Sequence, residues 1–546
     1  MIKVPLTLAA LLLSPFSWAV PCRDVVYHNG NVYTADDTRP HADGFIVRGD
    51  RFVVVGTTPE LRAAACHRAR WVDLGGQTVI PGLIDSHDHL WNTAKFLYRG
   101  VDMVGVTSRG ELLGRLKAAV DRGDNSSAIF TSTGWSVTPW PSRAELDEIS
   151  ATVPIAVIAQ RRGSGVLNSA ALRRLGISAE HPEFDGYRVP VDGEAQPTGV
   201  LPGYPASVLM LDALLPKITV EEQDRILIRA MQERNALGMT SIRELAAWPE
   251  EIAALSRLRA QGKLSLRMAV GVESPQQSRT VEYLNTLPIP DRTDPWLFLD
   301  SVSEEPWVPG TTDLEGFQNL LKAEDHLHWR PAPHVSADRR RNISAQEATD
   351  ATLRAYEFIN SDSALAAKRW YVEHVPWATP EQIARMAALH LIVSTQDAGY
   401  RTSGDPKDAG DPRHQNPVRS FIDQGLTVIG GSDYAGPTPG NLQPNNLLAT
   451  LGFYVTRRNQ AGEVLTGAEA VSRQQALKIF TANAAYATFQ ESVKGRIAAG
   501  ALADFVVVDQ DLMTVPEDRI SQTTPLATYV GGRCVFGSGP MLRKSN

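Results

Sequence analysis

A chain of 546 residues is too long for one ordinary hydrophobic core, so two domains or a large barrel with an accessory module are expected. Its hydrophobic content of 43% and charged content of 21% are those of a folded soluble protein. With 54 basic against 61 acidic residues and a formal charge of -7, it lacks the basic surface that a nucleic-acid partner would need.

Residues 1–19 read as an export signal. Lys3 gives a short positive start, Leu6 to Leu13 is apolar, and Ser17-Trp18-Ala19 sets small residues where a signal peptidase reads. Cleavage after Ala19 is expected, placing the mature chain in the periplasm or outside the cell. The apolar run falls well short of the roughly 20 residues of a membrane span, and no later stretch is long and apolar enough to cross a bilayer. Pro21 stands where a lipoprotein signal at Cys22 would want a small residue. Disulfides persist in such a compartment. Of Cys22, Cys66 and Cys534, the first two flank the first run of short strands and are the expected pair, with Cys534 left over.

Residues 24–74 read as short strands separated by the turn signals Asn29-Gly30 and Gly49-Asp50. The tail, KGRIAAGALADFVVVDQD followed by ATYVGGRCVFG, mirrors them. Neither group makes a stable sheet alone, so one small β domain built from both chain ends is expected, from residues 20–81 and 485–546. Between them, at 82–484, apolar strands alternate with helical patterns. The strand candidates are SAIFTSTG, PIAVIAQ, MTSIREL, LRMAVGV, WLFLDSV, APHVS, RWYVEHV, LHLIVSTQ and LTVIGGSD. Such alternation implies a parallel sheet, and this many units a closed (β/α)8 barrel with insertions, whose chemistry sits at the C-terminal ends of its strands.

The stretch QTVIPGLIDSHDHL, residues 77–90, leads into that barrel. Side chains alternate along a strand, so His87 and His89 share a face, with Asp88 turned away. Two imidazoles on one strand end are half a metal site. His334 after Ala332-Pro333, His374 closing RWYVEH and Asp433 closing LTVIGGSD also lie at the C-terminal ends of apolar runs. Four histidines and one aspartate suit a divalent transition metal, zinc first among them.

PGLIDSHDHL resembles the first-strand motif of the amidohydrolase superfamily, PG followed by two hydrophobic residues and D-x-H-x-H, in which both histidines bind the catalytic metal. GRIAAGALADFVVVD is similar to that superfamily's common ending. STGW at 132–135, LNSAAL at 167–172, PTGVL at 197–201, VEH at 372–374, GSDY at 431–434 and TANAA at 481–485 resemble its YtcJ-like branch, amidohydrolase family 3. The resemblance spans nearly the whole mature chain and implies a β-sandwich flanking a metal-dependent hydrolase barrel. Two departures stand out. Where the branch commonly has a lysine able to bridge two metals, WLFLDS puts Trp296, and a histidine often found before NSAAL is replaced by Gly163. With Asp433 as the only carboxylate of the set, two cations would repel each other, so one per chain is expected, with Glu244 the first suspect should a second be present.

The expected activity is hydrolysis of a C–N bond in an amide or cyclic amide by metal-activated water, Asp433 moving the proton. The alternative is a degenerate, non-catalytic exported binding protein. The expected partner is a small-molecule substrate, with Trp135, Arg161 and Tyr434 near predicted strand ends as candidates to contact it, and a homo-oligomer is left open. No G-x-S-x-G elbow or nucleotide-binding glycine pattern supports another chemistry.

Overall fold

The computed structural model describes residues 23–538, apart from 124–127, 133, 159–164, 202–205, 216, 274–278, 305–313, 338–342, 397–414 and 435–444, with 206–208 described by their backbone only. The chain ends form two facing sheets. One holds Val25–His28, Gly44–Arg48, Arg51–Gly56 and Arg70–Asp73; the other joins Asn31–Tyr33, His41–Ala42 and Thr78–Pro81 to Phe505–Val508, Pro525–Val530 and Arg533–Gly537. Alternate residues of both sheets turn inward. Tyr27, Phe45 and Phe52 thereby meet Phe505 and Tyr529, whose rings stack at 4.3 Å between centroids. Cys66, at the edge of this domain, is disulfide-bonded, and Cys534 is free and exposed. Cys22, the expected partner of Cys66, lies outside the described residues, as does the signal segment 1–19.

Thr78–Pro81 runs out of the sandwich into the first barrel strand, Leu83–Asp88. Seven more parallel strand positions follow: Met239–Ala247, Arg267–Val272, Leu297–Ser303, the interrupted segment 331–335, Tyr371–His374, Ile392–Gln396 and Thr427–Gly431. Pro333 has no amide hydrogen for the ladder, and the fifth strand breaks there into Pro331–Ala332 and His334–Val335. The eighth strand returns to the first. Asp433 N–H donates to His87 O at 2.8 Å, and the backbone and hydroxyl of Ser432 both bind the Asp85 carboxylate, at 2.9 and 2.6 Å.

Inside the barrel, Ile84, Ala332, Tyr371, Ile392 and Ile429 pack with Ala484, Ala485 and Ala487 of the helix Ala482–Ala487. Further along the strands the interior is charged. Arg243 lies over the Tyr371 ring at 3.6 Å and donates to Glu373 Oε1 at 2.5 Å, while Asp300 pairs with Arg330. Barrel and sandwich are fastened by a buried two-pronged pair, Arg267 to Asp504 at 2.7 and 2.9 Å.

Two strand assignments change. SAIFTSTG and PIAVIAQ were expected in the barrel, but Ile129–Phe130 and Ile155–Ile158 join Gly165–Leu167 in a separate three-stranded sheet, inserted between the first and second barrel strands. This insert has cores of its own, around Phe130, Leu172 and Leu211 on one side and Met103, Leu116 and Val157 on the other. Short apolar runs are the same whichever sheet they bury in, and only long-range pairing separates them.

Candidate metal centre

The five expected ligands converge at the C-terminal rim. His87 is the last residue but one of the first strand, and His89 caps the start of the helix Leu90–Leu97. Asp88 faces away from them, as alternation requires, and holds the buried Arg234 through two bonds of 2.8 Å. The His87 and His89 rings are 5.3 Å apart and both approach Asp433 Oδ1, at 3.8 and 3.4 Å from Nε2. His334 and His374 form a second pair, with ring centroids 4.1 Å apart.

Between the pairs stands a residue that sequence reasoning missed, Glu304. Its Oε1 lies 3.1 Å from His87 Nε2, 3.1 Å from His334 Nδ1 and 3.2 Å from His374 Nε2; its Oε2 lies 3.3 Å from His89 Nε2. Glu304 follows the fourth strand directly, so the rule that located the other ligands would have found it. Trp296, at the other end of that strand, instead packs over Arg267 and Arg533, with no place at the rim. Glu244, the suspected extra carboxylate, is turned away as well. It accepts from Leu90 N–H at 2.6 Å, and burial beside Glu251 pushes it well above the usual carboxylate range.

The rings are oriented from behind. His87 Nδ1 bonds Glu373 Oε2 at 2.9 Å and His89 Nδ1 bonds the Leu245 carbonyl at 3.2 Å. An acceptor at each Nδ1 places the proton there and leaves the Nε2 lone pairs facing Asp433 and Glu304. His87 Nε2 is buried and has no hydrogen-bond partner among the described residues. A buried nitrogen lone pair aimed between two carboxylates is satisfied by a cation, and two residue groups have the necessary closeness: His87, His89 and Asp433, and His87, Glu304 and His374. Burial opposes ionisation of Glu304, but His87 and His89, with His334 and His374 bonded to it, outweigh that and hold it well below its ordinary range. Three rim residues, Glu304, His374 and Asp433, also have φ of 50°, 70° and 47°, a left-handed conformation that costs a non-glycine residue of order 1 kcal/mol or more.

The candidates for substrate contact fare differently. The Trp135 Nε1–H donates to the Ile158 carbonyl at 2.9 Å, and the ring is buried in the insert's core. Tyr434 lies over the Arg234 guanidinium, 4.8 Å from its ring centroid, and is buried in the wall behind the first strand. Arg161 and Gly163 lie outside the described residues.

An eight-stranded parallel barrel whose strand ends gather four imidazoles and two carboxylates around one point has the architecture of a metal-dependent hydrolase. The sequence agrees at the level of family. The amidohydrolase family matches residues 70–536, and the chain belongs to it. The chain is 28% identical to the N-substituted formamide deformylase of Arthrobacter pascens, over 93% of this chain and 98% of that protein, and 22% identical to the putative amidohydrolase YtcJ of Bacillus subtilis (strain 168), over 94% and 99%. Among solved structures, an uncharacterized metal-dependent hydrolase from Pyrococcus horikoshii OT3 superposes with a TM-score of 0.70 at 20% identity, covering 91% of this chain and 99% of that one.

Proposed function

We propose that this amidohydrolase cleaves a C–N bond of an amide or cyclic amide with water, giving a carboxylic acid and an amine. The observation that carries it is Glu304 standing between two histidine pairs, with Asp433 against the first. His87, His89, Asp433 and Glu304 hold the principal cation, of the zinc type by its donor set. Their two negative charges balance a divalent ion. Among the described residues, the carboxylate bonded to His334 and His374 is the same Glu304, so a second cation there would be held more weakly, and a single tight metal remains the reading we propose, on charge balance rather than on a single carboxylate.

The bound cation supplies Lewis acidity and lowers the pKa of water. Asp433 takes the proton that water gives up and passes it to the nitrogen as the C–N bond breaks. The Asp433 side chain is 26% exposed, against 0% for that of His87, so it can reach incoming substrate while His87 only binds. The formamide deformylase relative supports an amide substrate. Hydrolysis of an amide panel in 18O water, alongside elemental analysis, tests the proposal. One tight equivalent of metal per chain and one 18O in the acid product support it; a metal-replete protein that cleaves no amide leaves the binding-protein reading.

We further propose export, from the signal-like residues 1–19. None of the helices searched among the described residues is long and apolar enough to cross a membrane. N-terminal sequencing of native protein should begin at Val20, and soluble cytoplasmic protein retaining Met1 to Ala19 would refute the assignment.

A further inference from the structure

One polar side chain of the barrel mouth has no part in holding a cation. Gln396 ends the seventh strand, Ile392–Gln396, and is 9% exposed. By alternation it faces the same way as Ile392 and Ser394, into the barrel. Its neighbour across the ladder is Gly431, where a Cβ would stand 2.3 Å from the Cβ of His87. The missing side chain at Gly431 leaves bare backbone between the Gln396 amide and the His87 end of the metal centre.

The orientation of that amide follows from its partners. Glu373 is the acceptor of its cluster, taking a hydrogen from the Arg243 guanidinium at 2.5 Å on Oε1 and facing His87 Nδ1 at 2.9 Å with Oε2. The Ser394 hydroxyl, bonded to Glu373, therefore donates there. Ser394 Oγ is left to accept, and it takes a hydrogen from Gln396 Nε2 at 2.9 Å. The chain Gln396 to Ser394 to Glu373 thus fixes the amide with its nitrogen toward the barrel interior. Gln396 Oε1 is buried and has no hydrogen-bond partner among the described residues. A buried acceptor of this kind wants a donor.

We propose that Gln396 Oε1 receives the N–H of the substrate's amide group, making this a site for primary and N-monosubstituted amides that discriminates against N,N-disubstituted ones. The assignment rests on the C–N hydrolase reading. It adds a specificity-determining contact to it: an N-alkyl group in place of the hydrogen would leave Oε1 unpaired and press carbon against it. Sites built to bond a substrate N–H reject analogues lacking it far more strongly than apolar pockets reject a misfit of shape.

The probes are formanilide and N-methylformanilide, used with the full-length zinc-loaded protein. Binding is measured by calorimetry on the Asp433→Asn variant, and kcat/KM on the unaltered protein. Formanilide should bind at least about tenfold more tightly than its N-methyl derivative. Gln396→Met, similar in size but without the acceptor, should abolish that preference with zinc content unchanged, and Gln396→Glu, which keeps an oxygen acceptor, should restore most of it. Selective binding with no turnover of either amide would uphold the Gln396 contact and overturn the hydrolase reading. Equal binding of the two amides, no binding of either, or a Gln396→Met variant that retains the preference would overturn the Gln396 assignment whatever the activity.

Discussion

Glu304→Ala protein should fold normally, lose its tightly held cation and retain no more than about a thousandth of its activity. Loss of the carboxylate takes one of two negative charges from the principal site and the one bonded to His334 and His374, and metal-derived stabilisation is worth several kcal/mol of barrier, roughly tenfold per 1.4 kcal/mol. The fold should survive, because Glu304 stands just beyond its strand, its backbone bond to Ala332 is kept in the alanine variant, and its side-chain bonds among the described residues are to imidazoles. His87→Ala should give the same paired loss of metal and activity. The measurements are metal per chain after dialysis, circular dichroism and amide turnover; a Glu304→Ala enzyme with normal metal and normal rate would remove Glu304 from the site.

Asp433→Asn should behave differently. The amide keeps the shape and one oxygen toward His89, but it cannot accept a proton at neutral pH. Removing a positioned proton-transfer group costs about 10²- to 10⁴-fold in rate. Metal content should fall much less, since His87, His89 and Glu304 remain. Metal lost in full proportion to activity would make Asp433 chiefly a ligand and require another base.

The parts of this design written locally are those that could be read from the sequence. His87 and His89 were legible because a strand's two-residue period and a preceding apolar run fix both their face and their position, and Asp88, turned onto Arg234, obeys the same period. His334, His374 and Asp433 were found by following each apolar run to its end. Glu304 is not legible in the same way, because Ser303-Glu304-Glu305-Pro306 has the composition of a surface turn. The insert is not separable from the barrel in the sequence because Ile155–Ile158 is as apolar as any barrel strand, and its parallel pairing with Ile129–Phe130 is a long-range fact. The orienting bonds behind the rings, such as His87 to Glu373, join residues far apart in the chain and leave no local trace.

The ladder that steadies the first barrel strand has a consequence for how the molecule is made. Thr78–Pro81, two residues ahead of Leu83–Asp88, lies between Asn31–Tyr33 and Phe505–Val508. A ribosome delivers the first partner early and the second almost last. Throughout synthesis, therefore, the strand that leads into the His87 strand has an open edge, and the sandwich cannot close until nearly the whole chain has emerged. Such a long-range pairing makes for slow, late folding and favours completion after release, in one piece, over domain-by-domain folding at the exit tunnel. A chain stopped short of Phe505 would lack both the outer half of its sandwich and the clamp on its metal-binding strand, so an unfinished polypeptide would be unable to assemble its reactive centre.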